Sequence, residues 1–111
     1  MAKLQISPEA QNDLQKIKTY VALDLDTPLA AQKIIAKITK AIRRLIEFPS
    51  SGAPLYSVIG IQTEYRFLVC GNYLVFYRYE DETVFVNRVL YSRRDYLRIL
   101  FGKMPQEETE N

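Results

Sequence analysis

The sequence contains no histidine and a single cysteine, Cys70. Without histidine the chain cannot form a Ser-His-Asp or Cys-His catalytic arrangement. One cysteine cannot form an internal disulfide and is typical of a reducing compartment. Because no basic residue adjoins Cys70 in the sequence to lower its pKa, we expect it to be inert. We expect no metal and no cofactor, so any catalysis would have to use arginine, lysine, tyrosine or carboxylates.

The chain also lacks a long apolar run. No stretch approaches the roughly 18–20 apolar residues that span a bilayer, and no signal peptide precedes Ser7. We therefore expect a cytoplasmic protein without a membrane partner. Its 111 residues are enough for one domain that buries about 65% of its unfolded surface. We expect this domain to span residues 1–102, followed by an acidic, disordered tail over residues 103–111.

The kind of basic residue changes along the chain. Lysine dominates the first half, whereas between residues 56 and 102 every basic residue is an arginine: Arg66, Arg78, Arg88, Arg93, Arg94 and Arg98. The planar guanidinium group suits phosphates, carboxylates and aromatic faces better than an ammonium does. These arginines are candidates for binding a partner, and the alternative is that arginine only tolerates partial burial beside a sheet.

Two helices are predicted in the first half of the chain. Ser7-Pro8 and Thr27-Pro28 each place a capping residue before a proline, as at the start of a helix. Apolar residues recur three and four positions apart after each pair and predict helices over residues 8–23 and 28–48. An alternating stretch at residues 2–7 predicts a strand before them. The helices should form a hairpin whose apolar faces need a sheet to cover.

The second half predicts an antiparallel meander. Strands are expected over residues 64–70, 73–80 and 83–91, joined by two-residue turns. Such turns would oppose the pairs Cys70–Tyr73, Arg66–Tyr77, Glu80–Thr83, Tyr77–Val86 and Val75–Arg88. A short helix capped by Ser92 should follow. The predicted fold is therefore α+β: an N-terminal strand, a two-helix hairpin, a three-stranded antiparallel meander and a short C-terminal helix.

Alternation along these strands sorts the sheet into two faces. We expect the helix pair to cover the face with Tyr65, Phe67, Val69, Leu74, Phe76, Phe85, Val89 and Tyr91. The opposite face carries Arg66, Leu68, Tyr73, Val75, Tyr77, Tyr79, Val84, Val86 and Arg88. That second face is too apolar to lie bare in water and too charged for a dry core. It is therefore predicted to bind a partner.

Four stretches in this order resemble one family. They are "AQNDLQKIKTYV … AIRRLIEFPSSGAPL", the "YR" of the second strand, "GNYLVFYR" and "RVLYSRRDY". Together they resemble the RelE/ParE superfamily of bacterial type II toxin–antitoxin toxins over about residues 4–101, and "VFYR" followed by "RVLY" is closer to the ParE-like branch. The resemblance implies a growth-arresting toxin of a plasmid-stabilisation module. It also implies a cognate antitoxin protein that wraps the toxin, with DNA contacted only indirectly through that antitoxin.

The resemblance leaves the target open. RelE-type members cleave mRNA on the translating ribosome, and the positions that match or adjoin their catalytic residues are Arg66, Arg93 and Tyr96. Two positions depart from that pattern, because Tyr73 stands where RelE-type members have an arginine after the turn and Ser92 aligns with their basic residue at the end of the last strand. Losing such charge-stabilising groups typically costs about 10²–10³-fold each. ParE-type members instead inhibit DNA gyrase, and we favour this alternative; a third is a member that only binds.

A binding mechanism implies a different set of residues. The predicted partner- or target-binding residues are Arg66, Tyr73, Tyr77, Arg88, Tyr91, Arg93 and Arg94. Each has a structural alternative. Arg66 and Arg88 could pair with carboxylates such as Glu64 or Glu80, and the tyrosines could pack across strands. Arg93 and Arg94 could form a solvated helix face.

Overall fold

The computed structural model describes residues 1–102, and the predicted acidic tail over residues 103–111 lies outside the described residues. Within residues 1–102, five strands form one sheet in the order β1-β5-β4-β3-β2. The strands are β1 (Lys3–Ile6), β2 (Ala53–Pro54), β3 (Arg66–Cys70), β4 (Tyr73–Glu80) and β5 (Thr83–Tyr91). The helices are α1 (Pro8–Thr19), α2 (Pro28–Arg44), α3 (Tyr56–Ile59) and α4 (Tyr96–Phe101). The α+β class and the order of the predicted elements are confirmed, and β2 and α3 are additional elements between the predicted second helix and the predicted meander.

The helix pair begins where the sequence predicts. The Ser7 hydroxyl accepts a hydrogen bond from the Ala10 N–H at 2.9 Å and caps α1. After α1 the chain continues as a π-helix over Tyr20–Asp24. Helix α2 ends at Arg44 rather than at residue 48, and the chain continues in turns in which the Leu45 N–H donates to the Ile42 carbonyl and the Phe48 N–H to the Arg44 carbonyl. Over the part of the chain that the structure describes, no helix is long and apolar enough to cross a bilayer.

The strand register matches the predicted pairs Cys70–Tyr73, Arg66–Tyr77, Glu80–Thr83 and Tyr77–Val86. The pair Val75–Arg88 is wrong, because Val75 lies opposite Val89 and Phe76 lies opposite Arg88. A β-bulge adds one residue to β5 at this point. Apolar–polar alternation does not reveal such a bulge, because the extra residue shifts the register while the composition of the strand stays apolar.

The predicted assignment of the two sheet faces is wrong. The helices α1 and α2 cover the face that was expected to bind a partner, and its core holds Ala10, Ile38, Ile42, Leu45, Cys70, Val75, Tyr77, Val84, Val86 and Val89. Val89 is the exception, because it was expected beneath the helices and lies there after the bulge in β5 shifts the alternation. The other face packs Phe76 and Leu90 against Leu55 of the loop and against partly buried residues of α3 and α4. Both faces are apolar, so alternation separates the two sets of residues without showing which set the helices cover. The face predicted to bind a partner is therefore largely the core beneath the helix pair.

Tyr77 fixes the loop that leads into β2. Its fully buried hydroxyl donates to the Pro49 carbonyl at 2.7 Å and accepts from the Gly52 N–H at 3.0 Å. A Cβ on Gly52 would lie 2.6 Å from the Tyr77 hydroxyl oxygen and 2.7 Å from the Phe67 carbonyl oxygen, so only glycine permits this approach. Arg66 binds the same loop through its Nη2, which donates to the Gly52 carbonyl at 2.8 Å and to the Ser50 carbonyl at 3.1 Å.

Replacing the Tyr77 hydroxyl should destabilise the protein measurably. Tyr77→Phe leaves the buried Gly52 N–H unpaired, and we expect a loss of about 1–3 kcal/mol in the free energy of unfolding. The control Tyr79→Phe, at a ring that is 41% exposed, should change it by less than about 0.5 kcal/mol. Urea denaturation followed by circular dichroism measures both, and equal losses would contradict the role given to this hydroxyl.

Candidate functional site

A cavity of about 710 Å³ opens where the end of β5 and the β3–β4 turn meet the helix hairpin. Its apolar lining comes from Ile17, Tyr20, Val21, Leu25, Ala30, Ile34, Tyr73, Val89, Leu90 and Tyr91. Its polar lining comes from Asp13, Lys16, Thr27, Asn72 and Arg94. We call this the strand-end cavity.

The sheet side of the strand-end cavity is built by two tyrosines at strand ends. Tyr73 is the first residue of β4 and Tyr91 is the last residue of β5, and the register places them opposite each other. Their rings meet edge to face with centroids 5.9 Å apart. Gly71, at a φ of +59°, provides the left-handed backbone of the turn that precedes Tyr73. Strand pairing and turn geometry therefore hold both rings in place.

The helix side of the cavity is built by the connection between α1 and α2. The π-helix over Tyr20–Asp24 widens the last turn and contributes Tyr20 and Val21 to the lining. Such π-helical turns are frequent at functional sites. The Thr27 hydroxyl then donates to the Val21 carbonyl at 3.0 Å and closes the connection. Leu25 lines the cavity and remains about half exposed.

A buried carboxylate forms the floor of the cavity. Asp13 of α1 accepts hydrogen bonds from Arg88 Nε and Arg88 Nη2, both at 2.8 Å, and from the Val89 N–H at 3.0 Å. Strand β1 pairs with β5 only as far as Val86, so Asp13 occupies the edge of β5 beyond that point. The bonds to Asp13 raise the pKa of the Arg88 guanidinium. Arg88 therefore has a carboxylate partner, as one alternative expected, although that partner is neither Glu64 nor Glu80.

The strand-end cavity has a mostly apolar lining and a cationic rim. Burial, together with the neighbouring Tyr20 and Tyr91, raises the pKa of the Tyr73 phenol. Tyr73 therefore stays neutral and can donate a hydrogen bond at physiological pH. Lys16 and Arg94 are exposed, and neither forms an ion pair within residues 1–102. Because Arg88 neutralises Asp13, the net charge of the lining is positive.

The structure brings part of the predicted partner-binding set together. Tyr73, Tyr91 and Arg94 line the strand-end cavity, and Arg88 lies against its floor through Asp13. Arg93 is exposed on the same loop as Arg94. Tyr77 is fully buried, which leaves it no surface for a partner.

The residues proposed for ribonuclease catalysis lie apart. Arg66 is at the far end of β3 from the turn, about 13 Å along the strand from the level of Tyr73. Arg93 follows Ser92, whose N–H is bonded to the Asn72 carbonyl at the turn. Tyr96 packs on Phe76 beneath the opposite face of the sheet, with ring centroids 5.2 Å apart. No hydrogen bond within residues 1–102 joins Arg66, Arg93 and Tyr96, and Arg66 is bonded to the loop carbonyls.

Sequence reasoning missed Asp13, Lys16, Tyr20 and Leu25. Two of them carry a signal in retrospect. Asp13 lies three positions after Ala10 on the apolar side of α1, and a buried carboxylate requires a cation or several donors. Leu25 belongs to a connection that also contains the exposed Leu23, and the exposed Leu29 follows in the first turn of α2. Clustered exposed apolar side chains indicate a binding surface.

Cys70 lies in the core, away from the cavity lining. It is buried, and burial raises the pKa of its thiol more than the nearby Lys37 ammonium lowers it. No basic residue adjoins Cys70 in the sequence, but the fold brings Lys37 of α2 near it. Within residues 1–102 no group of three or more carboxylate or cysteine side chains is arranged to hold a metal ion.

The raised pKa of Cys70 predicts slow thiol chemistry in the native protein. At pH 7.5 the thiolate is scarce and shielded, so Ellman's reagent should react at least about 10-fold more slowly than in denaturant. Because the chain has one cysteine, the absorbance reports this site alone. Equal rates in native and denatured protein would contradict its burial.

The Asp13–Arg88 pair should be strongly coupled. In a double-mutant cycle of Asp13→Ala and Arg88→Ala, we expect a coupling free energy of about 1.5–3 kcal/mol, because the hydrogen bonds are charged and largely desolvated. The exposed pair Arg78–Glu80, joined at 2.8 Å, is the matched control and should couple by about 0.2–1 kcal/mol. Chemical denaturation measures both cycles, and equal couplings would show that burial adds nothing.

Comparison with known proteins identifies relatives. A family model described as "ParE toxin of type II toxin-antitoxin system, parDE" matches residues 4–96. The solved structure "Chromosomal ParDE TA system from P. aeruginosa" is similar with a TM-score of 0.66 and 22% identity, over 82% of this chain and 96% of that chain. YafQ from E. coli strain BL21(DE3) is similar with a TM-score of 0.50 and 16% identity, over 92% of this chain and 100% of that chain. No curated protein sequence matches significantly. At these identities the two structures bear on the fold alone.

Proposed function

The chain belongs to the ParE toxin family of type II toxin–antitoxin systems, and on that basis we propose that it arrests growth by binding DNA gyrase. The RelE/ParE superfamily predicted from the sequence is confirmed. The observation that carries the proposal is the strand-end cavity. It has the apolar lining and cationic rim of a protein-binding surface.

The arrangement of the candidate nuclease residues supports binding over RNA cleavage. General acid–base chemistry on a phosphate needs its groups within hydrogen-bond reach of one substrate. Arg66 donates instead to the Gly52 and Ser50 carbonyls, and Tyr96 packs on Phe76. Arg93 would be the one member of the trio near the cavity. A nuclease would therefore require the β2 loop and α4 to rearrange.

The composition of the cavity supports a protein target. Residues that dominate binding energy at protein interfaces are enriched in tyrosine and arginine. The cavity presents Tyr20, Tyr73, Tyr91 and Arg94, and the edge contact between Tyr73 and Tyr91 holds two of these rings before any partner arrives. A preorganised surface loses less side-chain entropy on binding. Tyr73, Tyr91, Arg93 and Arg94 therefore remain the proposed target-binding residues.

A cognate antitoxin is the second proposed partner. The relative from P. aeruginosa is described as part of a ParDE toxin–antitoxin system, and we extend such a partner to this chain. The rim cations Lys16 and Arg94 and the apolar lining fit a segment with both acidic and apolar side chains. An antitoxin segment that covers the cavity would neutralise the toxin by excluding gyrase.

The proposal is tested by a supercoiling assay with purified protein. The wild-type chain should inhibit gyrase supercoiling and leave ribosome-bound mRNA intact. Tyr91→Ala should raise the inhibitory concentration by about 10-fold or more, because it removes a central aromatic contact. Tyr79→Ala is the matched control, since both residues are 41% exposed and Tyr79 is absent from the cavity lining. It should change inhibition less than about 2-fold.

Two outcomes would contradict a gyrase mechanism. Unimpaired supercoiling with new, codon-phased mRNA ends would identify a ribosome-dependent ribonuclease, and Arg66→Ala and Arg93→Ala should then abolish the cuts. Unimpaired supercoiling with intact mRNA, and no growth arrest on expression without an antitoxin, would identify a member that only binds.

A further inference from the structure

The outer surface of α2 is cationic and has no carboxylate of its own. The 17-residue helix contains five basic residues and no acidic residue: Lys33, Lys37, Lys40, Arg43 and Arg44. All five are exposed. The ion pairs found within residues 1–102 are Arg78–Glu80, Arg88–Asp13 and Arg98–Asp95, so none involves α2. Five unneutralised cations on one short helix repel each other and favour a polyanionic partner.

Four of these cations form one line along the helix. Lys33, Lys37, Lys40 and Arg44 follow each other at intervals of four, three and four positions, so they share one side of α2. The line is about 16 Å long at 1.5 Å per residue. We call it the α2 basic stripe.

A neighbouring cation extends the charged surface toward α1. Lys18 of α1 borders a shallow depression of about 640 Å³ with Lys40, Arg43 and Arg44. Glu47 is the one carboxylate on its lining, and no aromatic side chain lines it. The α2 basic stripe therefore lies within a broader positive surface.

We propose that the α2 basic stripe binds the phosphate backbone of duplex DNA directly and without sequence specificity. Protein interfaces are depleted in lysine, whereas four of the six cations on this surface, Lys18 included, are lysines. Leu29, one turn before the stripe, and Phe48, beside Arg44, are exposed, but no aromatic side chain lines the depression itself. Phosphate contacts need only correctly spaced cations. Duplex DNA carries one phosphate charge per about 1.7 Å of axis, so a length equal to the stripe offers more than one phosphate to each cation.

The DNA-binding surface is separate from the strand-end cavity. Helix α2 contributes Ala30 and Ile34 to the cavity, and none of its five basic residues lines it. The chain can therefore contact DNA while the cavity holds a protein. This inference goes beyond the proposed gyrase inhibition and departs from the expectation that DNA is contacted only through the antitoxin.

The test measures binding of the full chain to a fluorescein-labelled duplex of random sequence by anisotropy at several salt concentrations. If the four stripe cations contact phosphates, the logarithm of the binding constant should fall with the logarithm of salt concentration with a slope of about −3 to −4. Lys33→Gln/Lys40→Gln should reduce the slope by about 1.8 and weaken binding about 10-fold or more at low salt.

The matched control is Lys3→Gln/Arg78→Gln, which removes the same charge elsewhere. Leu4 and Tyr77 pack beneath the helices, so their strand neighbours Lys3 and Arg78 point to the opposite face of the sheet. This control should change DNA affinity less than about 2-fold at the same salt concentration. Circular dichroism should show both variants folded.

Three results would overturn the proposal. The first is no duplex binding at low salt, and the second is an equal loss in both double variants, which would reflect net charge alone. The third is unchanged DNA binding with weakened antitoxin binding in Lys33→Gln/Lys40→Gln, which would identify a protein interface. Cavity variants in the supercoiling assay probe a different surface, so this proposal and gyrase inhibition can fail separately.

Discussion

The buried carboxylate of Asp13 holds helix α1 against the sheet at the place where the cavity forms. It accepts two hydrogen bonds from Arg88 and one from the Val89 N–H, at a point where β5 no longer pairs with β1. One and two turns further along the first helical segment, Ile17 and Tyr20 are thereby brought beside the end of β5, where they line the cavity. The ion pair is thus a structural contact that positions the lining of the strand-end cavity. Arg88 therefore lies near the site, but Asp13 neutralises its charge.

Local patterns predict the elements well, because each depends on few residues. Ser7 caps α1 as its position before Pro8 indicates, and the two-residue turns fix the register as far as Tyr77. The β-bulge in β5 was not predictable, since an extra residue leaves the apolar pattern intact. The face that the helices cover was also not predictable, because Phe76 and Tyr77 are equally buried on opposite sides of the sheet. The two sides differ only in what packs on them: α1 and α2 cover the Tyr77 side, and Leu55, α3 and α4 cover the Phe76 side.

The parts of the site that lie at strand ends were predictable from the sequence. The parts that depend on the loop before β2 or on the connection between α1 and α2 were not. Tyr73 and Tyr91 lie opposite each other because the turn and the register require it. The Arg66 guanidinium donates hydrogen bonds to backbone carbonyls of a loop, and the sequence of that loop carries no signature of such contacts. Tyr20 enters the site through a π-helical turn that helical periodicity does not reveal. The result is a cavity with an apolar lining and a cationic rim.

The most direct test of this account is site-specific photocrosslinking to gyrase. A photoreactive side chain placed at Tyr91, in the cavity, should crosslink to a gyrase subunit, and the same group placed at the equally exposed Tyr79 should not. Adding the cognate antitoxin should suppress the crosslink from position 91, because both partners are proposed to use the cavity. Crosslinks from position 79 alone, or crosslinks from position 91 only to ribosomal components, would contradict the claim that the strand-end cavity binds gyrase.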